Sequence, residues 1–230
     1  PAYDGDNEES CEDEEKETER INEGEQRKVN DLPNREKINN KYTPEDINLA
    51  IMNTGGLKSK ALSVSNICNL YDIRFLIVSE TQCGGREKPK VNDNMTAFFQ
   101  NRESGKGGIA IFVENSLAAH TVVVGKSSSE TEWIAVKCSY FQAPVIIIGV
   151  YGAQSSTPKP QLEKTWQEVF GLADKYKSEH LVIIGGDLNC AFGRSVGLKN
   201  NDPSVNPGGR DVKKLITEGR WKVLNRHIEG

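Results

Sequence analysis

Four short apolar runs along the chain have the β-branched composition of strands. A run of four to eight apolar residues bounded by glycine or polar residues is typical of a strand buried on both faces. The runs cover residues 48–53, 75–78, 145–151 and 181–184. Each run ends at, or within a few residues of, a polar side chain. The pattern therefore predicts strand ends that could carry chemistry.

The rest of the chain predicts further strands and a few helices. Apolar residues at helical spacing predict amphipathic helices over residues 57–70 and 161–176, and a short helix is expected over 211–218. Between the first two helices, consecutive strands without helical connections imply antiparallel hairpins. Those strands are expected near residues 98–99 and over 109–113, 119–124, 133–138 and 145–151, with a last strand over 221–224. This order predicts an α/β fold of two packed mixed sheets with helices outside.

The N-terminal region differs from the rest of the chain in charge. Residues 1–40 contain fourteen Asp or Glu and six Lys or Arg, so their net charge is −8, whereas the whole chain carries −4 and the remainder +4. A segment with so few apolar residues cannot offset the entropy cost of ordering. We therefore expect residues 1–44 to be a disordered acidic tail or linker and residues 45–230 to form one domain. The mildly basic domain is compatible with a polyanionic substrate.

Cysteine usage and hydropathy narrow the class of protein. Five cysteines without a Cys-x-x-Cys spacing favour a reduced intracellular protein without structural zinc. No stretch approaches the roughly 20 apolar residues of a membrane span, so no membrane partner is expected. We expect a monomer. Because the chain begins at Pro1 instead of Met, it is interpreted as a piece of a longer polypeptide.

Polar residues at the four strand ends form the candidate site. Asp187 and Asn189 follow the run at 181–184, and a spacing of two puts both side chains on one side of an extended chain. Glu80, Tyr151 and Asn53 stand at or just after the other three runs. Each alone is also typical of a turn, a solvated surface or ordinary packing. Four such coincidences in one small domain favour a functional site.

In chain order, these residues lie in strings that resemble the endonuclease/exonuclease/phosphatase superfamily over roughly residues 46–226. The strings are NTGGL at 53–57, SET at 79–81, VY at 150–151 and GDLN at 186–189. Within the superfamily, the chain looks most like the apurinic-type endonuclease domain of non-LTR (LINE-type) retrotransposons. That narrower resemblance rests on GGIAIFV at 107–113, EWIAV at 132–136, GRD at 209–211 and WKVLN at 221–225. The superfamily fold is a four-layered α/β sandwich.

The resemblance implies a phosphodiesterase that depends on Mg²⁺ or Mn²⁺. Its subfamily implies a DNA endonuclease that nicks target DNA for retrotransposition, joined to a reverse transcriptase in a longer polyprotein and acting in the nucleus. Glu80 would bind the metal ion, and Asn53 would assist at the metal or at a phosphate oxygen. Tyr151 would donate its hydroxyl to a non-bridging oxygen, and Asp187 would orient or deprotonate the attacking water. Asn189 would hold the scissile phosphate.

The chain departs from the family pattern at its C-terminal end. Family members carry a late Asp-His pair, whereas none of His120, His180 and His227 follows an aspartate. We therefore expect the last strands and the last catalytic segment to lie beyond residue 230, and the 230-residue chain to be close to inactive alone. Two alternatives stay open. One is a related phosphoesterase acting on a phosphoinositide, a lipid or RNA, and the other is an inactive remnant that only binds nucleic acid.

Overall fold

A computed structural model describes residues 47–127, 132–152, 157–193 and 204–224. The predicted acidic tail lies outside these residues, so its disorder stays a prediction. The described strands are β1 Leu49–Asn53, β2 Phe75–Ser79, β3 Met95–Gln100, β4 Ile109–Glu114, β5 Thr121–Lys126, β6 Glu132–Cys138, β7 Val145–Tyr151 and β8 Leu181–Asp187. The described helices are α1 Ala61–Leu70, α2 Asn115–Ala118, α3 Lys159–Tyr176 and α4 Pro207–Gly219.

The strands form two mixed sheets of the same design. One sheet has the order β1-β2-β4-β3 and the other has the order β5-β6-β7-β8. In each sheet one outer pair is parallel, β1 with β2 and β7 with β8, and the other pairs are antiparallel. Parallel neighbours end at the same edge of a sheet, and this edge is where α/β folds place their ligands.

Successive side chains of each strand point to opposite faces of its sheet, so the core is divided into layers. Phe75 and Ile77 of β2 pack with Ile111, Ile134 and Ile147 between the two sheets. The alternate side chains of β2 and β4 contact α1, and those of β6 and β7 contact α3 and α4. Two sheets packed face to face with helices outside confirm the expected four-layered α/β sandwich.

Within each parallel pair, one strand is buried and the other is only partly buried. Every residue of β2 and β7 is buried, as their continuous apolar runs predict. Most residues of β1 and β8 are only partly buried, and each strand has one partner among the described residues. The expectation that the run at 181–184 is buried on both faces is therefore wrong, because β8 lies at an edge of its sheet.

One predicted hairpin is wrong. Residues 115–118 form the single turn α2, and β5 begins at Thr121 in the other sheet. The runs at 109–113 and 119–124 therefore belong to different layers, although both were expected in consecutive hairpins. Leu117 is fully buried, so this turn is held by core packing as it carries the chain between the sheets. None of the helices in the described segments has the length and apolarity that a membrane span requires.

The predicted strand over residues 221–224 is absent from the described part of the chain. Arg220 has a left-handed backbone, with φ of 56°, and ends α4. Trp221 then donates its backbone N–H to the carbonyl of Ile216 and packs edge-on against Phe170 of α3. The apolar residues read as a strand are therefore used to close the end of a helix.

Candidate active site

The carboxyl ends of the two parallel strand pairs meet through one side-chain amide. The Asn53 Nδ2 at the end of β1 donates to Glu80 Oε1 at 2.8 Å and to Asp187 Oδ2 at 2.8 Å. Glu80 follows β2, whereas Asp187 ends β8 in the other sheet. The Tyr151 hydroxyl at the end of β7 donates to Glu80 Oε1 at 3.2 Å. The structure therefore brings four of the five candidate side chains into one hydrogen-bonded group that spans both sheets.

Asn189 joins the same group mainly through its backbone. Its N–H donates to Asp187 Oδ1 at 3.1 Å, and its Nδ2 donates to the carbonyl of Gly152 at 2.7 Å. These bonds fix the plane of the Asp187 carboxylate and tie the ends of β7 and β8 together. The expected contact of Asn189 with a scissile phosphate stays a prediction.

The spacing of residues within NTGGL and SET has a direct structural reason. The backbone N–H of Gly56 and the Thr54 hydroxyl both donate to the carbonyl of Glu80, at 2.8 and 3.1 Å. Thr54 N–H and Leu57 N–H donate to the carbonyls of Ser79 and Thr81. The segment after β1 therefore clamps the segment after β2 residue by residue, which holds the Glu80 side chain over the edge of the sheet.

Backbone strain is concentrated at this edge. Glu80, Gln82 and Asn189 have φ of 53°, 52° and 48°, in the left-handed region that side-chain-bearing residues rarely adopt. Gly186 has φ of 131°, and a Cβ there would overlap the carbonyl oxygen of Val150 on the neighbouring strand. Strain of this kind persists where the surrounding structure enforces it, and it clusters at functional sites.

The donor set fits a hard divalent cation. Glu80 and Asp187 supply carboxylate oxygens on either side of one amide nitrogen, and Mg²⁺ is commonly held by one or two carboxylates together with water and substrate phosphate. Asn53 presents its amide nitrogen to both carboxylates, while its Oδ1 accepts from the N–H of Gly55 at 3.0 Å. In this arrangement Asn53 orients the two carboxylates, and its role as a metal ligand stays a prediction. The described residues contain no cluster of three or more His, Cys, Asp or Glu that could form a closed metal cage.

Two charged residues near the site were not expected from the sequence. Lys60 donates from Nζ to the carbonyl of Thr54, beside the site. A Cβ on Gly55 would lie 3.6 Å from Lys60 Nζ and 4.0 Å from Glu80 Oε2, so little more than a glycine separates the ammonium from the carboxylate. The sequence predicts only an exposed lysine on the first helix; Lys60 is indeed exposed, and it directly precedes α1.

Glu132 is the second unexpected residue. It begins β6, stands opposite Tyr151 in the β6–β7 register, and is almost completely buried. Its carboxylate forms an ion pair with Arg102 and accepts from the backbone N–H of Gly108. Burial raises the pKa of Glu132 to about 7, although Arg102 and the Gly108 N–H oppose the shift. An acid at the head of an otherwise apolar strand was the available sequence signal.

Cys190 directly follows the GDLN string but is not suited to act as a nucleophile or a metal ligand. Burial, together with the charges of Asp211 and Asp187, raises the pKa of Cys190 to about 12. Because the thiolate is the reactive and metal-binding form, Cys190 stays an inert thiol at neutral pH.

The two described histidines lie at the opposite end of the sheet from the site. His180 directly precedes β8, and Asp187 ends it, so the strand separates them by about 20 Å. His120 directly precedes β5, and the register places Thr121 in the same row as Leu181 across β6 and β7. Neither residue can supply the histidine of the expected Asp-His pair, and His227 lies outside the described residues.

The comparisons with known proteins agree with this fold. No protein-family model matches the chain. A probable RNA-directed DNA polymerase from transposon X-element of Drosophila melanogaster is 26% identical over 148 residues, which are 63% of this chain. The chain spans only 15% of the length of that polymerase.

Solved structures of nucleases share the architecture. An AP endonuclease from Leishmania major superposes with a TM-score of 0.56 at 15% identity, covering 80% of this chain and 70% of that one. An AP endonuclease from Archaeoglobus fulgidus gives 0.54 at 17% identity, covering 74% and 70%. The endonuclease domain of TRAS1, a telomere-specific non-LTR retrotransposon, gives 0.53 at 15% identity, covering 73% and 70%. The chain therefore has the fold of these endonucleases, as its sequence resemblance predicts.

Proposed function

We propose that this chain carries the phosphodiester-hydrolysing domain of a retrotransposon-type DNA endonuclease. The observation that carries the proposal is the hydrogen-bonded group of Asn53, Glu80, Tyr151 and Asp187, at the ends of two parallel strand pairs from different sheets. The transposon polymerase and the endonuclease structures described above support DNA as the substrate. We also propose that the domain is joined to a reverse transcriptase in the complete protein.

Phosphodiester hydrolysis needs a base for water and a neutralised phosphate. Asp187 is suited to accept the proton of a water molecule, because one donor on each of its oxygens fixes the carboxylate without using all its lone pairs. The water oxygen would attack phosphorus as the bond to the 3′ oxygen breaks. A 3′-hydroxyl end results, which is the end that a polymerase extends.

The remaining residues would bind and orient the phosphate. Tyr151 can turn its hydroxyl from Glu80 to a non-bridging phosphate oxygen, and preformed donors of this kind stabilise charge that develops in the transition state. The Lys60 ammonium adds a positive charge beside Glu80. Glu80 would hold the divalent cation, which would supply Lewis-acid neutralisation of the phosphate when bound.

The decisive experiment is plasmid nicking with two lengths of protein. The 230-residue chain and a polypeptide continued in the reading frame through the next Asp-His pair are each incubated with supercoiled DNA and Mg²⁺, with and without EDTA. We expect the longer protein to nick only when metal is present, and the 230-residue chain to be slower by about 10²–10⁴-fold, since it lacks one acid–base group.

Asp187→Asn in the longer protein should abolish nicking. Asp174→Asn, which removes an exposed carboxylate of α3, is the matched control and should leave the rate unchanged. Nicking that persists in EDTA would contradict the metal requirement. A longer protein that binds DNA without cutting it would favour the non-catalytic alternative. Equal rates for the two lengths would show that no acid–base group beyond residue 230 is needed for nicking.

A further inference from the structure

The Glu132–Arg102 ion pair lies next to the candidate site but takes no part in the proposed chemistry. Only 1% of the Glu132 side chain is exposed, whereas 38% of the Arg102 side chain reaches solvent. A buried carboxylate costs stability unless it is paired and hydrogen-bonded, so its position at the site edge calls for a reason.

Glu132 contacts the turn that faces Glu80. Its Oε2 accepts from the N–H of Gly108, and a Cβ on Gly107 would lie 2.6 Å from Glu132 Oε1. Gly107 and Gly108 both have left-handed backbones, with φ of 82° and 90°. Glycine at both positions therefore lets the backbone approach the carboxylate closely.

The same two glycines support the backbone beyond Glu80. The N–H of Gln82 donates to the carbonyl of Gly107 at 2.8 Å, and the N–H of Thr81 donates to the carbonyl of Gly108 at 3.3 Å. A Cβ on Gly108 would overlap the Thr81 hydroxyl. Through these contacts Glu132 is linked by two hydrogen bonds to the residue that follows Glu80.

A second route runs through the neighbouring strand. Glu132 stands directly opposite Tyr151 in the antiparallel register, and Tyr151 donates to Glu80 Oε1. Residues opposite each other on adjacent strands point to the same face of the sheet. Glu132 and Tyr151 therefore reach from the second sheet toward the same turn of the first sheet.

We propose that Glu132, fixed by Arg102, is a positioning residue that sets the orientation of the metal-binding carboxylate Glu80 through Gly108 and Tyr151. This inference rests on the proposed function, because it assigns Glu80 to the metal. Groups that orient a metal ligand from behind typically change metal affinity or activity by about 10–100-fold when they are removed.

The test is Mn²⁺ binding to the 230-residue chain at pH 8, measured by electron paramagnetic resonance without DNA. Glu132→Gln should weaken Mn²⁺ binding by about tenfold, and Glu80→Gln should remove it. Because Arg102 is partly exposed, its charge can be hydrated when Glu132 is neutralised, so this variant should fold. An unchanged Mn²⁺ affinity in Glu132→Gln would overturn the proposal.

The matched control is another Arg–Glu pair, which lies at the opposite end of the first sheet from the site. Glu114 ends β4 and pairs with Arg74 at 2.7 Å, at the other end of β2 from Glu80. Glu114→Gln should keep the Mn²⁺ affinity within about twofold of the wild type, although it removes a comparable ion pair. Equal weakening by both variants would mean that the metal site senses general stability, and the proposal would be wrong.

The double variant Arg102→Gln/Glu132→Gln distinguishes two causes of weaker Mn²⁺ binding: loss of the positioning by Glu132, and repulsion of the metal by the Arg102 charge. If positioning is the cause, the double variant stays about as weak as Glu132→Gln. Recovery of the wild-type affinity would show instead that the Arg102 charge, no longer neutralised by Glu132, competes with the metal, which overturns the proposal. If Glu132→Gln fails to fold, Arg102→Gln replaces it, and an unchanged affinity in that variant has the same meaning.

Nicking by the longer protein distinguishes this inference from the proposed function. Glu132→Gln should lower kcat and leave KM for plasmid DNA unchanged, because the residue acts on the metal ligand and not on DNA. A wild-type protein that binds Mn²⁺ through Glu80 but does not nick would refute the proposed function and leave the positioning role testable by metal binding. A wild-type protein that binds no Mn²⁺ would refute both.

Discussion

One Arg–Glu ion pair lies at the N-terminal end of strand β2 and another lies near its C-terminal end, and the two pairs are buried in opposite ways. At the N-terminal end Arg74 is 4% exposed and Glu114 is 39% exposed. At the C-terminal end the acid is the buried partner, and Arg102 is the exposed one. The remote pair neutralises the buried Arg74 guanidinium, whereas the near pair holds a carboxylate against the Gly107–Gly108 turn, which supports the segment after Glu80. We expect these two similar ion pairs to differ in role, the remote pair serving stability and the near pair serving the proposed site.

The largest expected difference between the two ends is in activity. Glu80→Gln should lower nicking by the longer protein by at least about 10²-fold, because it removes the carboxylate proposed to hold the divalent cation. Its free energy of unfolding should change by no more than about 0.5 kcal/mol, since a partly exposed residue at a strand end contributes little to packing. Plasmid nicking and urea denaturation measure the two quantities. A Glu80→Gln protein that nicks at the wild-type rate would remove Glu80 from the site.

The reverse result is expected at the remote end. Glu114→Gln should lower the free energy of unfolding by about 1–3 kcal/mol, because the buried Arg74 guanidinium loses the charged acceptor that its Nε now contacts. The nicking rate of the longer protein should not change. Urea denaturation gives the stability, and a loss of activity without a loss of stability would contradict the division of roles between the two ends.

The smallest expected effect is a pH dependence confined to the near pair. Since burial raises the pKa of Glu132 from 4.5 to about 7, the folded chain holds a proton in this window that the unfolded chain releases. The free energy of unfolding should therefore fall as pH rises from about 4.5 to 7, by at most about 1.4 kcal/mol per pH unit.

Glu132→Gln should remove this fall, because its amide does not titrate, whereas Glu114→Gln should keep it. Urea denaturation at several pH values measures the slopes for the three proteins. Equal slopes in the wild type and in Glu132→Gln would show that another group is responsible. Two charged side chains act on Glu132 in the structure, Arg102 and Glu80. Variants of these two residues are the next to compare.

The sequence was most informative where local pattern and burial coincide. The fully buried β2 and β7 were predicted within a residue, because each has apolar neighbours on both faces. The polar residues that end or follow these strands could be identified as candidates because the ends of the strands were predicted to within a residue. Their meeting in one place followed only from the order of strands in two sheets, which the family resemblance supplied and local pattern did not.

Features that depend on distant partners escaped prediction. Glu132 looked like the start of a packed strand, since its partners Arg102 and Gly108 are 24 or more residues away. Trp221 looked like part of a strand, although it closes α4 against α3. The longer extent of α4 depends on Asn206, whose side chain caps Gly209 while it also binds Ala191 and Asn189 beside the site.

The order of strands along the chain has a consequence for how the site could be taken apart. Among the described strands, those of the first sheet all come from residues 49–114 and those of the second all come from residues 121–187, without any exchange between the sheets. Asn53 and Glu80 lie in the first half and Tyr151 and Asp187 in the second, so each half holds only part of the site. The domain is thus divisible at one covalent crossing near α2, and two separately made halves would regain the complete group of four side chains only by docking face to face.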